Sequence, residues 1–310
     1  MKITTTAPGG SKGKGEAGSS TPSAATAAAP LVRTGHDKWL EGSDFTEDET
    51  ILPQACTLLF GDAGTGKTTY ATRFAPDPVA FINFDGRAAH AVKYAREQLN
   101  RKILFTRIDF PGNITKLGHE QAVKLGQAAV DKTIRNLEFA IRENQKGNVK
   151  TICLDTGTEY TELIKIAVTG RIDRVKGDFG KSKDLINREW WRVFNMVRES
   201  AAHLVILARG RAIWENNEPT GKFTYRGADV MSDGVDWAGH IRLRKGRISD
   251  SSGGGKKKAK EFEIEVTKAG VNITQLGEVY RGDDWADVGG PFVWANLMNY
   301  PGSDPEDWGG

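Results

Sequence analysis

The run TLLFGDAGTGKTTYATRF, from Thr57 to Phe74, constrains this chain more than any other stretch. Thr57 to Phe60 reads as a buried strand, a glycine-rich turn follows, and a helix is expected from about Gly66. Gly61, Gly66, Lys67 and Thr68 match the phosphate-loop spacing G-x-x-x-x-G-K-[ST]. Glycine suits such a turn because the backbone must curl through positive φ and aim successive N–H groups inward, where a Cβ would obstruct a phosphate. The helix that starts at the loop adds its unpaired N–H groups and the positive end of its dipole. The whole segment Gly61, Asp62, Ala63, Gly64, Thr65, Gly66, Lys67, Thr68 and Thr69 is therefore the expected cradle of a nucleoside triphosphate. Lys67 is placed to reach the β- and γ-phosphates, and the Thr68 hydroxyl to complete a Mg²⁺ shell.

Along the rest of the chain, strands and helices alternate. VAFINFD (79–85) is an apolar run closed by a carboxylate, Ala88 to Asn100 a helix, and Ile103 to Phe110 a third strand. Leu117 to Asn144 reads as a long covering helix, apolar at Val123, Ala129, Val130, Leu137 and Ile141. VKTICLD (149–155) is another strand ending in an acid, and Asp155 suits the carboxylate that holds Mg²⁺ through water in phosphate-loop enzymes. Thr158 to Val168 is a helix, and Gly170 to Lys183 a basic, glycine-bearing loop. Asn187 to Ala202 is a helix whose Trp190, Trp191, Phe194 and Val197 read as core. Leu204 to Ala208 is a strand running into Arg209-Gly210-Arg211. From Gly210 to Gly239 no clean period is visible, so a long functional loop is expected. Two alternating strands close the pattern, Ile241 to Arg247 and Phe262 to Lys268, joined by the basic tip SSGGGKKKAK.

This order predicts an α/β fold with a mostly parallel sheet covered by helices on both faces. Ligands of such sheets gather at the C-terminal ends of the strands, where the phosphate loop, Asp85, Asp155 and Arg209 all fall. The expected organisation is a disordered leader (1–38) rich in Gly, Ser, Thr and Ala, a core (39–282), and an aromatic, acidic tail (283–310).

Composition narrows the partners. A net charge of +3 over 310 residues is too small to argue for nucleic acid by itself, so local clusters must carry that case. Cys56 and Cys153 lie in apolar runs and read as buried thiols of a reducing cytoplasm, and the five histidines show no zinc spacing. No run approaches membrane-spanning length, so no membrane partner is expected.

The order of these pieces, from Leu52 to Thr274, resembles the RecA-like P-loop ATPases, in particular the phage RecA-like ATPases of single-strand annealing and recombination. The resemblance implies ATP and Mg²⁺ as cofactors and an ATP hydrolase coupled to DNA. It also implies that Asp85 polarises the attacking water, although these proteins usually carry Glu there; the alternatives are Glu159 in that role and, for Asp85, a capping carboxylate in the turn before the next helix. Arg209 takes the γ-phosphate-sensing position where Gln is common, the alternative being an ion pair with a surface carboxylate. Two mobile DNA loops are implied at Arg171 to Lys183 and Arg211 to Val235. Arg171, Arg174, Lys176, Lys181 and Lys183 would serve phosphates in the first. In the second, Arg211, Lys222 and Arg226 interleave with Trp214, Phe223 and Tyr225, the mix of cations and rings that single strands require, unless these charges only face water. Lys268 is implied as a cation that reaches a neighbour's γ-phosphate, in a ring or filament of this chain, or else as a solvated strand-end lysine. Single-stranded DNA, further copies of the chain and a single-strand-binding protein are the partners that follow. A nucleotide-switched assembly protein without DNA, and a helicase-type motor, are the competing functions.

Overall fold

A computed structural model describes residues 54–109, 116–171, 179–245, 260–269 and 276–282. The expected leader, the tail and the basic tip at 251–259 lie outside the described residues. In chain order the elements are β1 (Cys56–Gly61), α1 (Lys67–Phe74), β2 (Val79–Asn83), α2 (Ala89–Gln98), β3 (Ile103–Arg107), α3 (His119–Gln145), β4 (Thr151–Asp155) and α4 (Gly157–Thr169). There follow α5 (Phe179–Arg198), β5 (His203–Glu215), β6 (Glu218–Arg226), α6 (Val230–Gly234), β7 (Trp237–Lys245), β8 (Lys260–Ala269) and β9 (Val279–Gly282).

Among the described residues the strands form one nine-stranded sheet in the order β3-β2-β4-β5-β1-β7-β8-β9, with β6 paired to the far half of β5. From β3 to β7 all neighbours are parallel, and β6, β8 and β9 are added antiparallel. One strand, β5, thus separates the phosphate-loop strand from the acidic strand β4.

Strand periodicity sorts the apolar side chains into two cores. Cys56, Leu58, Phe60, Ile152, Leu154, Leu204 and Ile206 face one side and pack with Leu137, Leu163, Trp190 and Phe194 of α3, α4 and α5. Their strand neighbours Leu59, Val79, Phe81, Cys153, Val205 and Leu207 face the other side and pack with Tyr70, Ala71, Val92 and Ala95 of α1 and α2. Burial on both faces explains why these strands are apolar without a break. The two thiols are free, buried and on opposite faces, and burial pushes the Cys56 thiol up to about 12.

Three expectations are revised. Asp85 lies two residues beyond the end of β2 rather than closing it. The α5 helix starts at Phe179, so Lys181 and Lys183 belong to a helix and not to a loop. The segment from Gly210 onward is a β-hairpin followed by the short α6, not an irregular loop. Strand β5 runs on past the sheet because β6 folds back to pair with it, and Asn216 and Asn217 turn the chain with φ of 52° and 63°. Positive φ at both central residues is the turn whose twist suits a two-residue hairpin. Glycines and charges along both arms hid the strand period from the sequence.

Helices α3 and α4 meet backbone to backbone at Gly126, where a Cβ would lie 2.5 Å from Ala167 N. Replacing Gly126 by Ala gains at most about 1 kcal/mol of helix propensity. Overpacking against unyielding backbone costs about 1–3 kcal/mol, so Gly126→Ala is expected to lower the urea unfolding midpoint.

Candidate nucleotide site

The site begins with the register of the parallel strands. Gly61 at the end of β1 lies opposite Arg209 of β5, Leu207 of β5 opposite Asp155, and Asp155 opposite Asn83 of β2. Three strand ends, and the point where β5 runs on beyond them, therefore deliver the loop, the cation and the acids to one rim. At the crest of the loop Asp62, Ala63 and Gly64 are exposed, while Thr65 and Lys67 are buried beneath them. Gly64 and Gly66 adopt left-handed φ of 80° and 89°, and no atom lies within 4 Å of where a Cβ on Gly64 would stand. The Thr65 hydroxyl donates to Asp62 O at 2.9 Å and pins the turn, and α1 begins directly at Lys67.

The Lys67 ammonium donates to Gly61 O at 2.9 Å and Asp62 O at 2.7 Å. Burial lowers its pKa, opposed by Asp155, Asp62 and Asp85. The Thr68 hydroxyl donates to Asp155 Oδ2 at 2.9 Å. Burial, then the neighbouring Asp85 charge, pushes the Asp155 carboxyl up to about 7, against the Thr68 hydrogen bond and Lys67. Asp85 is held at Oδ1 by Arg87 N at 2.8 Å and by Asn83 Nδ2 at 3.2 Å. Thr69, partly buried, follows Thr68 in the first turn of α1.

Glu159 sits in the first turn of α4, where the Thr156 hydroxyl accepts its N–H. Its Oε1 pairs with Arg209, and its Oε2 is buried without a hydrogen bond among the described residues. Burial raises its pKa while Arg209 opposes the shift. Arg209 is thus ion-paired, but with the largely buried Glu159 of the site rather than with a surface carboxylate, while its own side chain stays 45% exposed.

These residues fit a triphosphate and Mg²⁺. The left-handed glycines leave space for phosphate oxygens, and the buried ammonium faces loop carbonyls that phosphate would replace. A hydroxyl and a carboxylate in contact, Thr68 and Asp155, are the hard oxygen donors that Mg²⁺ takes beside phosphates and waters. No cluster of three or more His, Cys, Asp or Glu able to hold a metal alone occurs among the described residues. Thr68 and Asp155 would hold Mg²⁺ there, and the ion would supply positive charge against the charge that develops on the phosphoryl group.

The other expected positions are dispersed. Arg171 is exposed at the end of α4, Arg174 and Lys176 lie outside the described residues, and of the Lys181 side chain nothing is described. Lys183 pairs with Asp229 at 2.8 Å. Arg211, Trp214 and Lys222 are exposed on the hairpin, with Trp214 at 62%. Phe223 and Tyr225 do not stand free as stacking platforms. Phe223 packs on His240 at 4.9 Å, and the Tyr225 hydroxyl donates to Asp229 O and accepts from Ser232 N. Arg226 pairs with Glu162 at 3.4 Å. The Lys268 ammonium donates to Ser232 O at 2.6 Å and Val235 O at 2.5 Å of its own chain, around the end of α6.

Three contributors escaped the sequence reading: Asn83, Thr158 and Glu162. Thr158 Oγ1 accepts from Arg209 N at 2.9 Å and donates to Arg226 O at 2.5 Å, so the helix beside the acidic strand fastens both arms of the hairpin at its root. The only signal was a polar residue within an apolar strand for Asn83, and a threonine and an acid in the first turns of α4 for the others.

Fold and rim together define a P-loop nucleotide-binding protein. A family model described as an AAA domain matches residues 54–234, more than half of the sequence, and the chain belongs to this family of P-loop ATPases. No curated protein matches the chain. Among solved structures it is similar to a KaiC-like protein from the hyperthermophilic archaeon Pyrococcus horikoshii OT3. That match has 15% identity and a TM-score of 0.42, over 75% of this chain and 88% of that one. No described helix is long and apolar enough to cross a membrane.

The Asp155 carboxyl gives a pH test in the nucleotide-free protein. Its folded pKa of about 7 exceeds the ordinary 3.8, so as pH rises the unfolded chain releases this proton first. Stability from this group is full below 3.8 and is lost as pH climbs through about 7. Asp155→Asn removes that loss, at most roughly 4 kcal/mol. Urea melts are expected to show the variant gaining on the wild type from pH 4 to pH 8, and an equal difference at both would contradict the burial.

Proposed function

We propose that this ATPase binds single-stranded DNA as an oligomer and lets the state of its nucleotide set the posture of the β5–β6 hairpin. The observation that carries this is that Arg209 and the hairpin are one strand. β5 passes the phosphate loop at Arg209, opposite Gly61, and continues without a break to the exposed Trp214. A γ-phosphate beside Lys67 competes with Glu159 for the Arg209 guanidinium, and any movement of Arg209 is passed to both hairpin arms through Thr158. Site and hairpin are then coupled reciprocally: nucleotide alters the affinity for DNA, and DNA alters the affinity for nucleotide.

Within the site, Lys67 holds the triphosphate, Thr68 and Asp155 hold Mg²⁺, and Asp85 orients the attacking water. Arg209 binds the γ-phosphoryl charge, leaving Glu159 free to accept a proton. On the hairpin, Arg211 and Lys222 follow the phosphate backbone and Trp214 stacks on a base, a contact typically worth about 1–3 kcal/mol. Work in phage-type annealing or recombination, alongside a single-strand-binding protein, suits such a device. In a ring or filament Lys268 has to leave Ser232 O and Val235 O to reach the next subunit.

A nucleotide-switched assembly protein without DNA is the second reading. What favours it is that Phe223 and Tyr225 are committed to their own chain and that Glu215 and Glu218 face each other beside the hairpin turn. Steady-state ATPase with and without poly(dT) separates the two. DNA coupling predicts stimulation of about tenfold or more, absent in Lys67→Ala and reduced severalfold in Trp214→Ala, whose unstimulated rate is unchanged. ATP binding with no stimulation and no shift in poly(dT) anisotropy would refute DNA coupling.

A further inference from the structure

We infer that Asn83 is the positioning residue that aims the Asp85 carboxylate at the reaction centre and ties it to the acidic strand. The inference rests on Asp85 being the group that orients the attacking water. Asn83 is the last residue of β2 and is fully buried, paired in register with Asp155 of β4 and Arg107 of β3. A buried primary amide has two donors and an acceptor to satisfy, and leaving one unmet is costly. Here all are used across the gap between the two acidic loops. One N–H donates to Asp85 Oδ1 at 3.2 Å and the other to Asp155 O at 3.1 Å, while Oδ1 accepts from Gly86 N at 2.7 Å. The pattern fixes the amide's orientation, because a flipped group would set its oxygen against a carboxylate and a carbonyl and its NH₂ against an N–H.

The consequence is specific to Asp85. Because it stands two residues past the strand, its carboxylate is carried by a turn that the sheet ladder no longer fixes. Both of its described donors, Asn83 Nδ2 and Arg87 N, engage Oδ1, and Oδ2 accepts no hydrogen bond among the described residues. Oδ2 is thus the oxygen left for water. Phe84 N donates to the same Asp155 carbonyl at 2.7 Å, so backbone and amide together lock the end of β2 to the end of β4. A shorter acid than the glutamate common in related ATPases is thereby held at a fixed distance from the Thr68–Asp155 pair. A one-ångström misplacement of such a group costs on the order of a hundredfold in rate.

The test is a double-mutant cycle on the full chain, reading kcat by phosphate release, nucleotide Kd with a fluorescent ATP analogue, and the melting temperature. Asn83→Ala is expected to lower kcat by about ten- to a hundredfold with Kd within about threefold of wild type. Asn83→Asp keeps the volume and the acceptor for Gly86 N but has no N–H to give, so it is expected to fall by the same factor. It also carries the test if the alanine variant does not fold. In the Asp85→Ala background neither substitution should lower kcat further, because the group being aimed is gone. An undiminished extra loss in that background, or a Kd that weakens in step with kcat, would overturn the positioning role while leaving Asp85 in place. Wild-type kcat in Asp85→Ala alone would overturn both assignments, and so marks the failure of the underlying one.

Discussion

Everything in this molecule depends on the parallel register that brings β1, β5, β4 and β2 to a common rim. β1, β4 and β2 end at the level where β5 runs on beyond them, so Gly61, Arg209, Asp155 and Asn83 are set near one another by backbone geometry before any side chain is placed. The sheet can hold that register because both of its faces are buried, and a slip of one residue would turn each apolar side chain toward the wrong core. Fold and chemistry are thus the same constraint seen from two ends. The apolar alternation that packs Leu58 and Leu59 on opposite faces also fixes where Gly61 curls away.

At the rim, charges are gathered in a buried place at a cost. Lys67, Asp155 and Glu159 all have their charged forms disfavoured by burial, and each is partly rescued by another member of the group. Lys67 leans on loop carbonyls, Asp155 on the Thr68 hydroxyl and Glu159 on Arg209. A triphosphate with its metal offers these groups stronger partners. Under the proposed function, the Arg209–Glu159 pair is the contact that a bound γ-phosphate would disturb.

Much of this was legible in the sequence. The phosphate loop could be read because its glycines and lysine are required by backbone curl and phosphate charge, not by packing. Asp155 could be placed because it closes an apolar strand downstream of a phosphate loop, although an acid ending a strand is by itself a weak sign. The hairpin could not, since Gly210, Gly221 and the charges along it erase the period of two. Its one clear signal, Asn216-Asn217 between two short alternating arms, is a turn signature weaker than Asn-Gly. The intrachain contacts of Phe223 and Tyr225 were not legible either, because their partners, His240 and the segment around α6, come from later in the chain. Asn83 left only the sign of a polar residue in an apolar strand, because one of its bonds goes to Asp155 O, in a strand more than sixty residues away, and the others to a turn no local pattern encodes.

The most direct test of the central claim is a crystal structure with Mg²⁺ and a non-hydrolysable ATP analogue. The account predicts phosphates on the backbone of residues 61–69, with the Lys67 ammonium moved from Gly61 O and Asp62 O onto them. Mg²⁺ should lie between Thr68 and Asp155, and Arg209 should be turned from Glu159 toward the γ-phosphate. Nucleotide bound away from this rim, or bound here with Lys67 and Arg209 still on their present partners, would contradict it.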